Sequence, residues 1–124
     1  MEGGDLSAYL NKRQFKKDGM PIDQVIDFTE QILLALDFIH TKGYLHRDIK
    51  PSNILLSEES IGNGHSGKKR IKIADFGLSR SVSFPTKRMT KEIQTLHYRA
   101  PEVVLDNLAY SFSVDMWSMG VMIY

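Results

Sequence analysis

A mostly helical α+β fold with one small β-hairpin is what this sequence predicts, on three observations. Ile22, Val25, Ile26, Thr29, Ile32, Leu33, Leu36, Ile39 and His40 recur at the spacing of one helix face. Two short β-compatible runs, Ile54-Leu55-Leu56 and Ile71-Lys72-Ile73-Ala74, are bounded by polar segments. A final apolar stretch from Ser113 through Trp117 to Tyr124 again reads as helix.

Taken in order, Leu6 to Phe15 fits a short helix, after Gly3-Gly4 and with Asp5 as N-cap. Lys16 to Met20 reads as loop. The long helix has Pro21 at a suitable first position and Gly43 just past its end; it should bury one face. Ser57 to Arg70 is rich in Ser, Gly, Glu and Lys, and reads as the long loop of the hairpin, a surface insertion across 57–70. Arg80 to Tyr98 is irregular and polar, and a segment of that length without its own structure is usually functional. The last helix runs to Tyr124 without a cap, and no internal repeat is visible.

A length of 124 residues suits one domain. Net charge is 16 − 15 = +1, so no bulk electrostatic argument favours nucleic acid or an acidic membrane, and neither is expected as a partner. The basic run Lys68-Lys69-Arg70 is read as solvated loop. The absence of cysteine excludes disulfides, thiolate zinc sites and a cysteine nucleophile. No stretch is apolar for long enough to span a bilayer. Residues 1–5 lack the basic and apolar regions of a signal peptide.

The chemistry lies in three short motifs. His46-Arg47-Asp48-Ile49-Lys50-Pro51-Ser52-Asn53 matches the catalytic loop of protein kinases, with Ile49 for the commoner leucine. Asp75-Phe76-Gly77 follows the second short strand, and Ala100-Pro101-Glu102 comes later. A lone Asp or Asn in a loop is usually a turn former. Three triplets in this order and context outweigh that reading. Phosphoryl transfer demands positioning and charge neutralisation more than covalent chemistry. Asp48 can accept the proton of a substrate hydroxyl, and Lys50 can steady the migrating phosphoryl group. Asp75 and the side-chain oxygen of Asn53 are hard ligands for Mg²⁺. Gly77 is read as the residue that lets the backbone turn sharply after Asp75.

The chain resembles eukaryotic protein kinases along nearly its whole length. Thr95-Leu96-His97-Tyr98-Arg99-Ala100-Pro101-Glu102 looks most like the cyclin-dependent-kinase and MAP-kinase group. Lys50 and Thr95 are marks of serine/threonine rather than tyrosine kinases. The resemblance implies the large lobe of the kinase fold, incomplete at both ends. It also implies ATP and Mg²⁺, and phosphorylation of Ser and Thr hydroxyls in protein substrates inside the cell, in cytoplasm or nucleus. Residue by residue, it gives Thr95 the bridge between Asp48 and Lys50. It puts Asp5 near the ribose, Leu6 and Leu55 at the adenine, and Ala74 just before the metal-binding Asp75. His46 and Phe76 become members of the regulatory spine, and Asp115 the helix-borne carboxylate that holds the catalytic loop through its backbone.

The same resemblance makes Thr90 an activating phosphorylation site, with Arg47 and Arg80 as receptors for the phosphate. An upstream activating kinase and a cyclin-like activator are the implied partners. Several features depart from the family. Residues 1–124 hold no glycine-rich phosphate loop and no Val-Ala-Ile-Lys strand, so no useful phosphate transfer is expected from this segment alone. The arginine that usually pairs with Glu102 is missing, so Glu102 is expected to lack a partner. Arg99 supports proline-directed specificity, while Gln94 stands where the family has a valine and argues against it. The rival reading is a non-catalytic truncated module that binds a cyclin-like or substrate protein.

Overall fold

The computed structural model describes residues 3–12, 15, 19–58, 67–82, 94–105 and 110–124. Its elements are α1 (Leu6–Leu10), α2 (Ile22–Thr41), β1 (Tyr44–Leu45), β2 (Ile54–Glu58), β3 (Lys69–Ile73), β4 (Arg80–Ser81), α3 (Pro101–Val104) and α4 (Ser113–Ile123). Short 3₁₀ turns lie at Pro51–Asn53, Phe76–Leu78 and Leu96–Tyr98. The chain divides into two compact units, Met1–Ala35 with Pro51–Ala74, and Leu36–Lys50 with Asp75–Tyr124.

In the first unit, α1 begins at Asp5, whose Oδ1 accepts the Ala8 N–H at 2.8 Å, the bond an N-cap makes. The helix expected over Leu6 to Phe15 stops at Leu10 with Asn11 as its C-cap, and Phe15 is helical again. Pro21 is not the first helical residue but precedes it; its carbonyl accepts the Gln24 and Val25 N–H groups at 3.0 and 3.1 Å. Strands β2 and β3 pair antiparallel from Ile54↔Ile73 to Glu58↔Lys69. The ladder therefore takes in Ser57, Glu58, Lys69 and Arg70, which the sequence assigns to loop, and residues 59–66 lie outside the described set.

Two contacts fix this hairpin. A Cβ on Gly3 would lie 2.1 Å from the Leu56 carbonyl oxygen, so only glycine allows the chain this close to β2. The adjacent Gly4 carbonyl accepts the Leu56 N–H at 2.9 Å. On α2, Gln31 donates to the Lys69 carbonyl at 3.1 Å and accepts the Ile71 N–H at 3.0 Å. Beside it, Asp27 pairs with Lys68 at 2.8 Å, and the hydrogen bond from Lys68 holds the Asp27 carboxyl below its ordinary pKa.

The buried stripe of α2 is Phe28, Ile32, Leu36 and Ile39. Ile22, Ile26 and Leu33, which the periodicity also places on an apolar face, are exposed. They form the neighbouring stripe; the period shows which residues share a side, not which side finds a partner.

In the second unit, Gly43 ends α2 in a left-handed conformation (φ 77°), and its N–H reaches the His40 carbonyl at 2.8 Å. β1 and β4 then pair through Tyr44↔Ser81 and Leu45↔Arg80. Leu45, Ala100, Val103, Tyr110 and Val114 form the core, with Val82 and Phe112 packed against it. Leu45 and Val114 are fully buried, and each such side chain contributes about 1.5–3 kcal/mol. α4 buries Val114, Asp115, Ser118 and Met119, and leaves Met116, Trp117, Val121 and Ile123 exposed.

Candidate active site

β1 ends with Leu45 locked in the core, and the loop after it begins at His46, which is completely buried. Its path is set from α4. Asp115, also fully buried, accepts the His46 N–H on Oδ2 at 2.9 Å and the Arg47 N–H on Oδ1 at 2.8 Å. His40 Nε2 reaches the same Oδ2 at 2.8 Å. Two successive N–H groups converge on one carboxylate, and the second belongs to a left-handed residue, Arg47 (φ 69°). A bulky residue is held there only when its surroundings over-determine it, and the carboxylate does so. The Arg47 side chain runs to the Tyr110 hydroxyl at 3.0 Å and, through Nε, to the Leu78 carbonyl.

Asp48 follows directly, 7% exposed. Its Oδ1 accepts from the Thr95 hydroxyl at 2.9 Å and from the Thr95 N–H at 3.2 Å. Its Oδ2 pairs with Lys50 Nζ at 2.9 Å, and the same Nζ donates to Thr95 Oγ1 at 2.8 Å. Carboxylate, ammonium and hydroxyl thus close a triangle from residues 45 or more positions apart in sequence for the Thr95 side. The Lys50 side chain remains a quarter exposed. A carboxylate with a neighbouring cation at the surface can take a proton from an incoming hydroxyl while the cation faces developing negative charge.

Asp75 belongs to this unit and is exposed. It, and not Gly77, adopts the left-handed conformation (φ 61°). The role read for Gly77 is corrected accordingly. The Gly77 N–H donates to Asp75 Oδ1 at 3.2 Å, and an added Cβ would lie 3.1 Å from that oxygen, a close contact that the exposed carboxylate can relieve. Phe76 meets His46 edge-on at 5.0 Å between ring centroids. Arg80 sits in β4 opposite Leu45. Glu102 does have a partner, contrary to expectation: the Ser113 hydroxyl at the start of α4 donates to it at 3.0 Å. Thr90 lies outside the described residues.

The remaining sequence-derived residues fall in the first unit. Asn53 is buried, and its carbonyl accepts the Ala74 N–H at 2.9 Å. Leu55 bridges to Asp5, and Leu6 is buried. Among the described residues no group of three or more His, Cys, Asp or Glu side chains could hold a metal. Mg²⁺ needs no such cage, since it is commonly held by one or two carboxylates with substrate phosphates. The amide oxygen of Asn53 and the exposed carboxylate of Asp75 are hard donors of the type it takes.

Sequence reasoning missed His40, Gln94, Tyr110 and Ser118. His40 carries a signal only as one more residue on a helical face. Gln94 shows as a departure from a valine that bears on substrate specificity, not as a structural anchor. In the structure it is 5% exposed, left-handed (φ 64°), and its carbonyl accepts from Arg99 at 3.2 Å. Among the described residues no helix is long and apolar enough to cross a membrane.

Comparison with known proteins points to one family. The protein kinase domain family matches residues 1–124. Cyclin-dependent kinase 2 of Caenorhabditis elegans is 42% identical over 116 residues, covering 94% of this chain and 29% of the relative. Cyclin-dependent kinase B2-1 of Oryza sativa subsp. japonica is 40% identical over 116 residues, covering 94% and 33%. The Arabidopsis thaliana protein of the same name is 42% identical over 110 residues, covering 87% and 33%. This chain therefore spans about a third of the length of these relatives. Among solved structures, a chain of the CAK complex of Chaetomium thermophilum bound to ATP-gamma-S superposes with a TM-score of 0.82 at 31% identity. That match covers 99% of this chain and 35% of the other. The α+β architecture, helical with small β-sheets, is the protein-kinase fold, and the chain belongs to the protein kinase domain family.

Proposed function

We propose that the protein containing these residues is a serine/threonine kinase that moves the γ-phosphate of ATP to Ser and Thr hydroxyls of protein substrates. The observation that carries this reading is the triangle of Asp48, Lys50 and Thr95. The acceptor oxygen attacks the γ-phosphorus, the bond from that phosphorus to the ADP oxygen breaks, and Asp48 takes the hydroxyl proton. Lys50 steadies the charge on the phosphoryl oxygens, and Thr95 holds both side chains in register. Such catalysis is mostly positioning and electrostatics.

Asn53 and Asp75 are the residues that would hold Mg²⁺, which when bound neutralises phosphate charge. Asp5, Leu55 and Ala74 are assigned to the nucleotide. Support for substrate preference comes from the Gln94 carbonyl. Arg99 already donates to it, so it is a poorer acceptor for a peptide N–H, and proline after the target residue lacks that N–H. Gln94 thus ceases to argue against a proline-directed enzyme.

A cyclin-like activator and an upstream kinase acting on Thr90 are part of the proposal, as is action inside the cell. The named relatives are cyclin-dependent kinases, which supports this. Residues 1–124 alone are expected to be inactive, since they hold no glycine-rich loop and no strand lysine. The test incubates the full-length protein with γ-labelled ATP, Mg²⁺ and paired Ser-Pro and Ser-Ala peptides. Label on serine, faster for Ser-Pro, is expected. Label confined to tyrosine, or none under activating conditions, contradicts the proposal.

A further inference from the structure

Thr95 touches both Asp48 and Lys50, so its own position must be fixed to fractions of an ångström. The residue before it shows how. Gln94 has a long polar side chain, a left-handed backbone (φ 64°) and only 5% exposure. Each of these is costly unless something offsets it. Its carboxamide is fully engaged. Nε2 donates to the Val114 carbonyl at 2.8 Å and to Ser118 Oγ at 2.7 Å, while Oε1 accepts the Ala100 N–H at 2.9 Å. A backbone carbonyl on one end and a backbone N–H on the other leave one orientation of the amide. Ser118 in turn donates to the Tyr98 carbonyl at 2.7 Å.

The anchor points are telling. Val114 and Ser118 flank Asp115 on one turn of α4. Asp115 holds the N–H groups of His46 and Arg47, immediately before Asp48. Gln94 is immediately before Thr95. A single helical turn therefore grips the chain one residue upstream of the carboxylate and one residue upstream of the hydroxyl that bonds it.

We propose that Gln94 is a positioning residue, whose carboxamide fastens Thr95 to the helical turn that also holds the Asp48 loop. The role rests on the kinase reading for its catalytic consequence, but not for its structural one. Loss of the carboxamide lets Thr95 drift from Asp48 and Lys50 while the rest of the fold persists. Misplacement by about 1 Å can cost about a hundredfold in rate.

The test uses the full-length protein with Gln94→Met, which keeps length but no hydrogen bonds, and Gln94→Glu, which keeps only the acceptor for Ala100. Both should lower kcat by about tenfold to a hundredfold, with KM for ATP within about twofold of wild type. In a Thr95→Ala background, Gln94→Met should cost less than about twofold more, since residues acting through one another are not additive. Unchanged kcat, or a full additive loss, overturns the proposal. Amide exchange supplies a readout independent of activity. The Thr95 N–H, bonded to Asp48 at 3.2 Å, should exchange faster in Gln94→Met, while the Leu56 N–H, bonded to Gly4, should not change. Equal Thr95 exchange overturns the inference even if the wild-type protein transfers no phosphate. Loss of protection at both amides in both variants assigns Gln94 to general stability and overturns it too.

Discussion

Replacing Asp115 by alanine removes the acceptor of three donors at once: the His46 and Arg47 N–H groups and the His40 ring. Hydrogen bonds to a charged group are worth about 1.5–3 kcal/mol each. Simple addition overstates the loss, because the three share one carboxylate and the variant no longer has a buried charge to desolvate. Breaking a buried charged network by removing one member typically costs about 3–5 kcal/mol. The upper half of that range is appropriate here, since His46 and Asp115 are both fully buried and two backbone N–H groups are orphaned. Asp115→Asn keeps one acceptor oxygen but sets an NH₂ against a donor, and should cost about 2–3 kcal/mol. His40→Ala leaves the carboxylate both backbone donors and should cost about 1–2 kcal/mol. Denaturant unfolding of the full-length protein, with unchanged m, measures all three. The order Asp115→Ala, Asp115→Asn, His40→Ala is the prediction. A loss below about 1 kcal/mol for Asp115→Ala would refute the claim that this carboxylate sets the path of the Asp48 loop.

Two further predictions concern a modification site and an ion pair. Thr90→Ala should lower the activity of the full-length protein by at least about fivefold, a typical regulatory coupling, with phosphate on Thr90 detected by mass spectrometry in the active form; unchanged activity removes Thr90 as a switch. The Asp27–Lys68 pair at the loop end of the hairpin is partly exposed, so its worth is under about 1 kcal/mol. Because the Asp27 carboxyl is lowered in the folded chain, its contribution is present above the ordinary carboxylate value and is lost as pH falls through the lowered one. The stability difference between wild type and Asp27→Asn should therefore shrink on acidification, and a pH-independent difference contradicts the pair.

What the sequence made legible was the local part of the chemistry. Asp48 and Lys50 lie two residues apart, and the motif around them needs no long-range information. The 3.6-residue period found α2, an apolar stretch found α4, and two short apolar runs bounded by polar segments found the β2–β3 hairpin. Other features have no local trace. His40 and Asp115 are 75 positions apart, and nothing in either neighbourhood predicts their contact. β1 and β4 are two residues each, too short for any period to register. The exposed Ile22, Ile26 and Leu33 obey the same period as the buried stripe, so composition could not separate them. Gly77 was noticed for a conformational freedom that Asp75 takes instead. Gln94 needed coordinates because its partners lie 20 and 24 positions away.

The most direct measurement is single-turnover phosphate transfer to a serine peptide by the full-length protein and its Asp48→Asn variant, at matched folding stability. Asparagine keeps the size and an oxygen for Thr95 but cannot take the hydroxyl proton. If Asp48 is the base, the rate falls by about 10²–10⁴-fold while nucleotide affinity holds. A variant that transfers phosphate at the wild-type rate contradicts the central role given to the Asp48–Lys50–Thr95 triangle.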